Sequence, residues 1–278
     1  VLICLPPSEG KTPAPADAAP VDLAGLTGAA ELTAQRRAVA EALAAVSVRP
    51  DATAALGVGA SLADEVARNA DLKSAPAAPA ARVYTGVLYA AAGLADLPDD
   101  AARRAADDVR VFSGLWGAVS PADRIPAYRL SMGVDLPGVG KLATAWRPRL
   151  AAALDTRAAG DVVVDCRSAA YLAAWKPATT GDAAADWVTV RVVREAAGRR
   201  TVVSHNAKHT RGVLTGHLLR RSGPAPTSAA ELLDAARELD EQVIGTEVGT
   251  GLSYRMVEAT LHDPATRRGP RTLEVVIA

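Results

Sequence analysis

The chain has 278 residues, nearly half of them apolar but only ten aromatic (four Trp, five Tyr and one Phe), so Ala, Val and Leu must build most of its core. Its 31 Lys and Arg balance its 31 Asp and Glu, which argues against a strongly basic whole-surface nucleic-acid binder and leaves room for a local basic cleft. Cys4 and Cys166 each sit in a short apolar run and no Cys-x-x-Cys pair exists, which argues against a disulfide scaffold or a structural zinc site.

The β-branched run "VLICL" at the start predicts a buried strand, ended by Pro6-Pro7. No basic n-region or long apolar stretch follows, which points to a cytoplasmic protein without a membrane partner. Residues 6–22 hold too many prolines for a regular element. Leu32, Val39, Leu43 and Val46 share one side of a predicted helix over 31–46, and residues 61–70 predict another. A Pro/Ala connection (73–81) leads towards a polar helix over 98–108 and a strand over 109–112. "IPAYRLSMGVD", with Pro126 and Gly133, reads as a strand, and a helix starts at 141 with a kink at Pro148.

A buried strand over 161–166 runs into a helical "SAAYLAAW". Two strands then meet at an Ala197-Gly198 turn, and helices follow over "NAKHTRGVLTGHLLRRSG" and "TSAAELLDAARELD". "SYRMVEAT" and "RTLEVVIA" are closing strands. Strands and helices mix without a strict βαβ rhythm, so the expected class is α+β with a mixed sheet flanked by helices, as one domain over 1–278 and a monomer.

Several stretches carry chemistry. Leu136-Pro137-Gly138-Val139-Gly140 has the apolar-Pro-Gly-apolar-Gly form of the turn in a helix-hairpin-helix element. Gly138 and Gly140 permit the tight turn, the free N–H groups of the following helix face outward, and Lys141 adds a full charge. That combination suits a DNA phosphate read without sequence preference. The plain alternative is a Gly-rich loop before an ordinary helix. Ser8, Glu9, Lys11 and Thr12 crowd into the loop after the first strand, a common place for a ligand, although no Walker A string is present.

"VYTGVL" places Tyr84 and Thr85, and "VFSGLWG" places Ser113, at expected strand ends, while "AYRLSMG" adds Tyr128 and Arg129. Ser168 and Tyr171 lie three apart on an expected helix and, with Arg167, form a candidate anion cradle, unless Ser168 is only the helix cap. Lys208 and Arg211 share a face of the "NAKHTRG" helix. His205 and His209 have i, i+4 spacing but lack a third ligand, so no metal is expected, and no cofactor either.

In order and spacing, "PPSEGKT", "VYTG", "SGLWGAVSPADRIPAYRLSMG", "GKLATAW", "VVVDCRSAAY" and "AKHTRG" resemble the YaaA peroxide-stress protein family across nearly the whole chain. The resemblance implies a compact α+β domain with a curved sheet, a positively charged cleft and a part in the response to hydrogen peroxide. It also implies DNA binding through a helix-hairpin-helix element. Two functions follow as expectations. One is sequence-independent DNA binding, with Lys11, Gly138, Gly140, Lys141, Lys208 and Arg211 at phosphates. The other is an enzyme acting on a nucleotide or another phosphorylated or anionic small molecule, with Ser8, Glu9, Tyr84, Thr85, Ser113, Tyr128, Arg129, Ser168 and Tyr171 lining the same cleft. Lys11, Lys208 and Arg211 are expected to meet, if "VLICL" and "TVVSH" are neighbouring strands.

Overall fold

The computed structural model describes residues 1–196, 198–202, 205–246 and 253–278. In chain order its strands are β1 (Leu2–Leu5), β2 (Ala78–Pro79), β3 (Val109–Ser113), β4 (Gly117–Val119), β5 (Arg124–Ile125), β6 (Asp135–Leu136), β7 (Gly140–Lys141), β8 (Val162–Asp165), β9 (Asp186–Ala196), β10 (Arg199–Val202), β11 (Val243–Thr246), β12 (Ser253–His262) and β13 (Arg271–Ile277). The helices are α1 (Ala29–Ser47), α2 (Ala52–Ala55), α3 (Ala63–Ala67), α4 (Ala80–Val83), α5 (Val87–Ala92), α6 (Asp99–Asp108), α7 (Leu142–Ala158), α8 (Ala169–Leu172), α9 (His205–Arg220) and α10 (Ala229–Arg237).

One large mixed sheet has the order β11-β12-β13-β9-β8-β1-β3-β4, with β10 paired to β9. Its centre, β3-β1-β8-β9-β13, is parallel throughout. The antiparallel pairs lie at the margins: β3 with β4, β12 with β13, β11 with β12, and β10 with β9. The residues explain the division. All four residues of β1 and of β8 are buried, as a strand covered on both faces requires, and both are apolar runs except for Asp165. The marginal β10 is exposed along its length. Helices pack as α1 with α7, α5 with α6 and α9 in one group, and α10 against β12. The buried apolar residues form one contiguous core. The mixed sheet flanked by helices is the architecture expected from the sequence.

Leu32, Val39, Leu43 and Val46 are the buried residues of α1 as expected, but Arg36 is buried with them. Its Nε donates to the Trp116 carbonyl, and Nη2 to the carbonyls of Thr27 and Ala118. Burial lowers its pKa to about 10, against the opposing pull of Asp123. Helix α7 runs through Pro148. Ser228 caps α10, its Oγ accepting from the Glu231 N–H, while the Glu231 carboxylate accepts from the Thr227 N–H. β9 and β10 form the expected hairpin, although Ala197 of its turn lies outside the described residues.

Two expected elements differ. "SAAYLAAW" is helical only over α8. "IPAYRLSMGVD" is not a strand: only Asp135–Leu136 pairs, and residues 126–131 run without regular structure. The reason is a contact from a distant part of the chain. The backbone N–H and C=O of Arg129 are both taken by the side chain of Asn69, so this segment satisfies its backbone without a ladder.

Candidate functional site

The site lies where the topology turns back. The chain leaves β1, places β3 on one side of it, and then crosses to place β8 on the other. All three strands are parallel, so the loops after β1 and β8 leave the same edge on either side of the crossover. In open parallel sheets, ligands bind outside the carboxyl ends of the strands at such a switch point. Ser8, Glu9 and Lys11 follow β1, Ser113 ends β3, and Ser168 and Tyr171 follow β8.

Lys11 is fixed at both ends. Its backbone bridges to Tyr84, and the Thr12 N–H donates to the Val83 carbonyl at 2.9 Å. Its Nζ donates to the Ser8 carbonyl at 2.8 Å and lies 3.4 Å from that of Glu9. The same nitrogen sits 4.5 Å from the Tyr128 ring centre and 5.8 Å from that of Tyr84. Burial first, and then the Arg129 charge, lowers the amine to a pKa of about 7, while Glu65 and Glu9 oppose the shift.

Beneath it runs a chain of hydroxyls. The Ser113 Oγ accepts the N–H groups of Leu115 and Trp116, at 3.1 and 3.0 Å. Its lone pairs are then used, so it donates to the Tyr128 hydroxyl, 2.6 Å away. Tyr128 in turn donates to the Tyr84 hydroxyl at 2.9 Å. Burial raises both phenols well above their ordinary range, so they stay protonated.

Arg129 closes the other side. Its Nη1 donates to the Glu9 carbonyl at 2.7 Å and lies 3.4 Å from the Glu65 carboxylate on α3. Tyr171 lies close by and feels the charges of Glu9 and Arg129; burial raises its pKa, against the opposing effect of Met132 and Ser131. Thr85 is exposed beside the first loop, its N–H 3.4 Å from the Gly10 carbonyl. "VYTG" is therefore not a strand end, as expected, but the junction of α4 and α5 paired to the β1 loop, with Gly86 at φ 120°.

Ser8, Glu9, Lys11, Tyr84, Thr85, Ser113, Tyr128, Arg129 and Tyr171 thus come together from distant parts of the chain. A surface depression of about 370 Å³, lined by Pro13, Ala14, Arg68, Asp71, Pro76 and Ala127, opens beside them.

The remaining candidates lie elsewhere. Arg167 is not an anion cradle: its Nε and Nη2 hold both oxygens of Asp165 at 2.8 and 2.6 Å, with both side chains fully buried. The guanidinium lies 3.9 Å over the Phe112 ring, and the Trp187 indole N–H also donates to Asp165. Ser168 occupies the cap position of α8 and makes no capping hydrogen bond, which leaves its exposed hydroxyl free.

Arg211 turns inward, its Nε and Nη2 donating to the Val190 carbonyl of β9 at 3.0 and 2.6 Å. Lys208 is exposed and has no hydrogen bond or ion pair among the described residues. β1 is flanked by β3 and β8 rather than by β10, so the strands expected to bring Lys11 and Lys208 together are not neighbours. The link is instead helical. Gly212 and Gly216 of α9 press on the backbone of α5 at Leu88 and Ala92, in parallel register, so Lys208 lies towards the α5 end that begins at Gly86.

The 135–141 stretch forms a hairpin of β6 and β7, with Gly138 at φ 86° and Gly140 at φ 87°. Lys141 is exposed at the start of α7. No helix precedes the hairpin within 126–134, so the first half of a helix-hairpin-helix is missing there. Cys4 and Cys166 are buried, and burial raises both thiols, Cys166 to about 12. No group of three or more His, Cys, Asp and Glu suited to a metal occurs among the described residues, and the side chain of His205 lies outside them. No described helix is long and apolar enough to cross a membrane.

Sequence reasoning missed Asn69, Glu65 and Arg36. Asn69 and Glu65 sit in a short helical segment whose polar residues read as a solvated face. Nothing in their spacing signals their partners.

A family model described as "Peroxide stress protein YaaA" matches residues 1–238. The UPF0246 protein SCO2297 of Streptomyces coelicolor is 47% identical over 245 residues, covering 87% of this chain and 92% of its own. The UPF0246 protein CE1889 of Corynebacterium efficiens is 38% identical over 240 residues, covering 85% and 92%. The "SGLWG…YRLSMG" block that supplies Ser113, Tyr128 and Arg129 lies inside the matched span, as does the Lys11 loop. The chain belongs to the YaaA family of peroxide stress proteins.

Proposed function

We propose that this peroxide stress protein acts on a small anionic molecule held at the carboxyl edge of β8, β1 and β3. The observation that carries this reading is the pairing of two adjacent cations, Lys11 and Arg129, over a buried chain of hydroxyls at the switch point. A DNA groove needs exposed charge that follows a backbone. Here the amine lies against two tyrosine rings, the Arg129 guanidinium is held by the Glu9 carbonyl and the Arg129 backbone by Asn69, the kind of preorganisation that orients one small ligand. Isothermal titration calorimetry with inorganic phosphate and with glyoxylate tests it. Binding that Arg129→Gln weakens at least about ten-fold, a loss of about 1.4 kcal/mol, supports the reading. Binding unchanged in that variant, or none at millimolar ligand, overturns it.

The hairpin favours a second reading, DNA binding, because Gly138 and Lys141 are exposed at the start of α7, although the Leu142 N–H there is taken by the Val134 carbonyl. Fluorescence anisotropy with duplex DNA across a salt series tests that. Lys141→Ala should lower the log–log salt slope by about one. An unchanged slope, or no binding at low salt, removes this reading.

A further inference from the structure

We infer that Lys11 is the amine nucleophile of this site and forms an imine with a small carbonyl compound whose acid group is held by Arg129. This rests on the proposed anion site and adds to it the substrate class and the reacting atom.

Lysines in proteins are ordinarily solvated or paired with a carboxylate. Lys11 is neither. Its Nζ is held by the carbonyls of Ser8 and Glu9 and faces the Tyr128 ring, and no carboxylate lies within ion-pair distance among the described residues. Of the charges around it, that of Arg129 acts on it most, ahead of those of Glu65 and Glu9, and both cations reach the Glu9 carbonyl. A desolvated amine beside a second positive charge gives up its proton near neutrality, and the lone pair this leaves is what a nucleophilic lysine needs. The pKa of about 7 agrees with that geometry.

Arg129 keeps a binding edge. Nη1 is used by Glu9 and Glu65, while Nε and Nη2 have no protein acceptor among the described residues. Two such N–H groups match the two oxygens of a carboxylate or phosphate. The exposed hydroxyl of Thr85 lies by the same loop.

The step balances without an oxidant or reductant. The Nζ lone pair adds to the carbonyl carbon, and the C=O π pair moves to oxygen. A proton passes from nitrogen to that oxygen, giving a carbinolamine. Solvent protonates the carbinolamine hydroxyl, and the nitrogen lone pair closes the C=N bond as the C–O bond breaks and water leaves. The resulting iminium shares its proton with solvent.

The test is reductive trapping. The full chain is incubated with cyanoborohydride and either glyoxylate, glycolaldehyde phosphate or propionaldehyde, then mapped by peptide mass spectrometry. The expected result is a reduced adduct on Lys11, at least about ten-fold above Lys73, Lys141, Lys176 and Lys208, the other lysines of the chain. Which of the two acidic aldehydes labels better identifies carboxylate or phosphate as the acid group. Arg129→Gln should remove the advantage of both over propionaldehyde, and Lys11→Arg should keep anion binding with no adduct. Even labelling of the five lysines, no adduct on Lys11, or equal labelling by propionaldehyde in the unaltered protein overturns the inference. If calorimetry shows bound phosphate while Lys11 stays unlabelled, the nucleophile is wrong and the site stands. If neither is seen, both fall.

Discussion

Asn69 holds Arg129 by both backbone groups: its Nδ2 donates to the Arg129 carbonyl at 3.0 Å, and its Oδ1 accepts the Arg129 N–H at 2.9 Å. Asn69 is itself fully buried, and its amide also reaches the Ser47 hydroxyl at 3.2 Å. It never approaches the ligand site, yet it sets where the guanidinium starts. Asn69→Ala leaves two backbone groups of a partly buried residue without their partners, at a cost of about 1–3 kcal/mol. Urea unfolding should show that loss. Calorimetry should show weaker glyoxylate binding as well, because Arg129 is no longer preorganised. A stability loss with unchanged affinity would assign Asn69 to the fold alone.

Asp165 and Arg167 give a prediction of the opposite kind, large for stability and small for the site. Their bidentate pair is fully buried, with the guanidinium against the stacked rings of Phe112 and Trp175. Asp165→Ala strands a buried guanidinium, which costs about 3–5 kcal/mol. Replacing both residues by apolar ones, Asp165→Leu with Arg167→Met, should recover most of that loss, since the pair's attraction largely offsets its own desolvation. Denaturant melts of the single and double variants measure the difference.

What the sequence could carry depended on the range of the signal. The strand Leu2–Leu5 and the apolar face of α1 are written locally, in runs and periods. So is the crowding of Ser8, Glu9 and Lys11 after β1. Arg167 misled because its partner stands two residues before it: Asp165 faces inward only once β8 is buried between β1 and β9, and sequence spacing does not reveal that. The 126–131 segment misled because both backbone groups of Arg129 within it are taken by Asn69, sixty residues away. Ser113, Tyr128 and Tyr84 were each visible as hydroxyls at element ends. That they form one ordered chain is a property of packing alone.

The Lys11 amine has a pH signature with a definite sign. Its folded pKa, about 7, is below the ordinary lysine value of 10.5. Between those values the unfolded chain binds the proton and the folded one does not. Stability from this group therefore rises with pH across that window, by at most about 1.4 kcal/mol per unit. Below pH 7 both states are charged, and the burial cost of the ammonium is felt in full. Lys11→Met removes the term, so the stability of the natural chain relative to this variant should climb from pH 7 towards 10. Anion affinity should run the other way, falling as the ammonium discharges. A flat difference between the two proteins would mean that Lys11 is charged and solvated.

Gly212 and Gly216 join the last prediction to the site from a distance. A Cβ on Gly212 would stand 2.2 Å from the Leu88 carbonyl oxygen, and one on Gly216 would stand 2.7 Å from that of Ala92. Both obstacles are backbone, so neither can turn aside as a side chain would. Gly212→Ala must push α9 away from α5, and overpacking of this kind costs about 1–3 kcal/mol. α5 begins at Gly86, immediately after Thr85, whose loop is paired to the Lys11 loop through Tyr84. A shift of α5 is thus passed to one wall of the site. Gly212→Ala should lower the thermal midpoint and also slow imine trapping at Lys11, whereas Gly198→Ala, at a hairpin turn remote from α5, should leave trapping unchanged. Equal trapping in both variants would show that the α5–α9 contact supports the fold without setting the position of the loop.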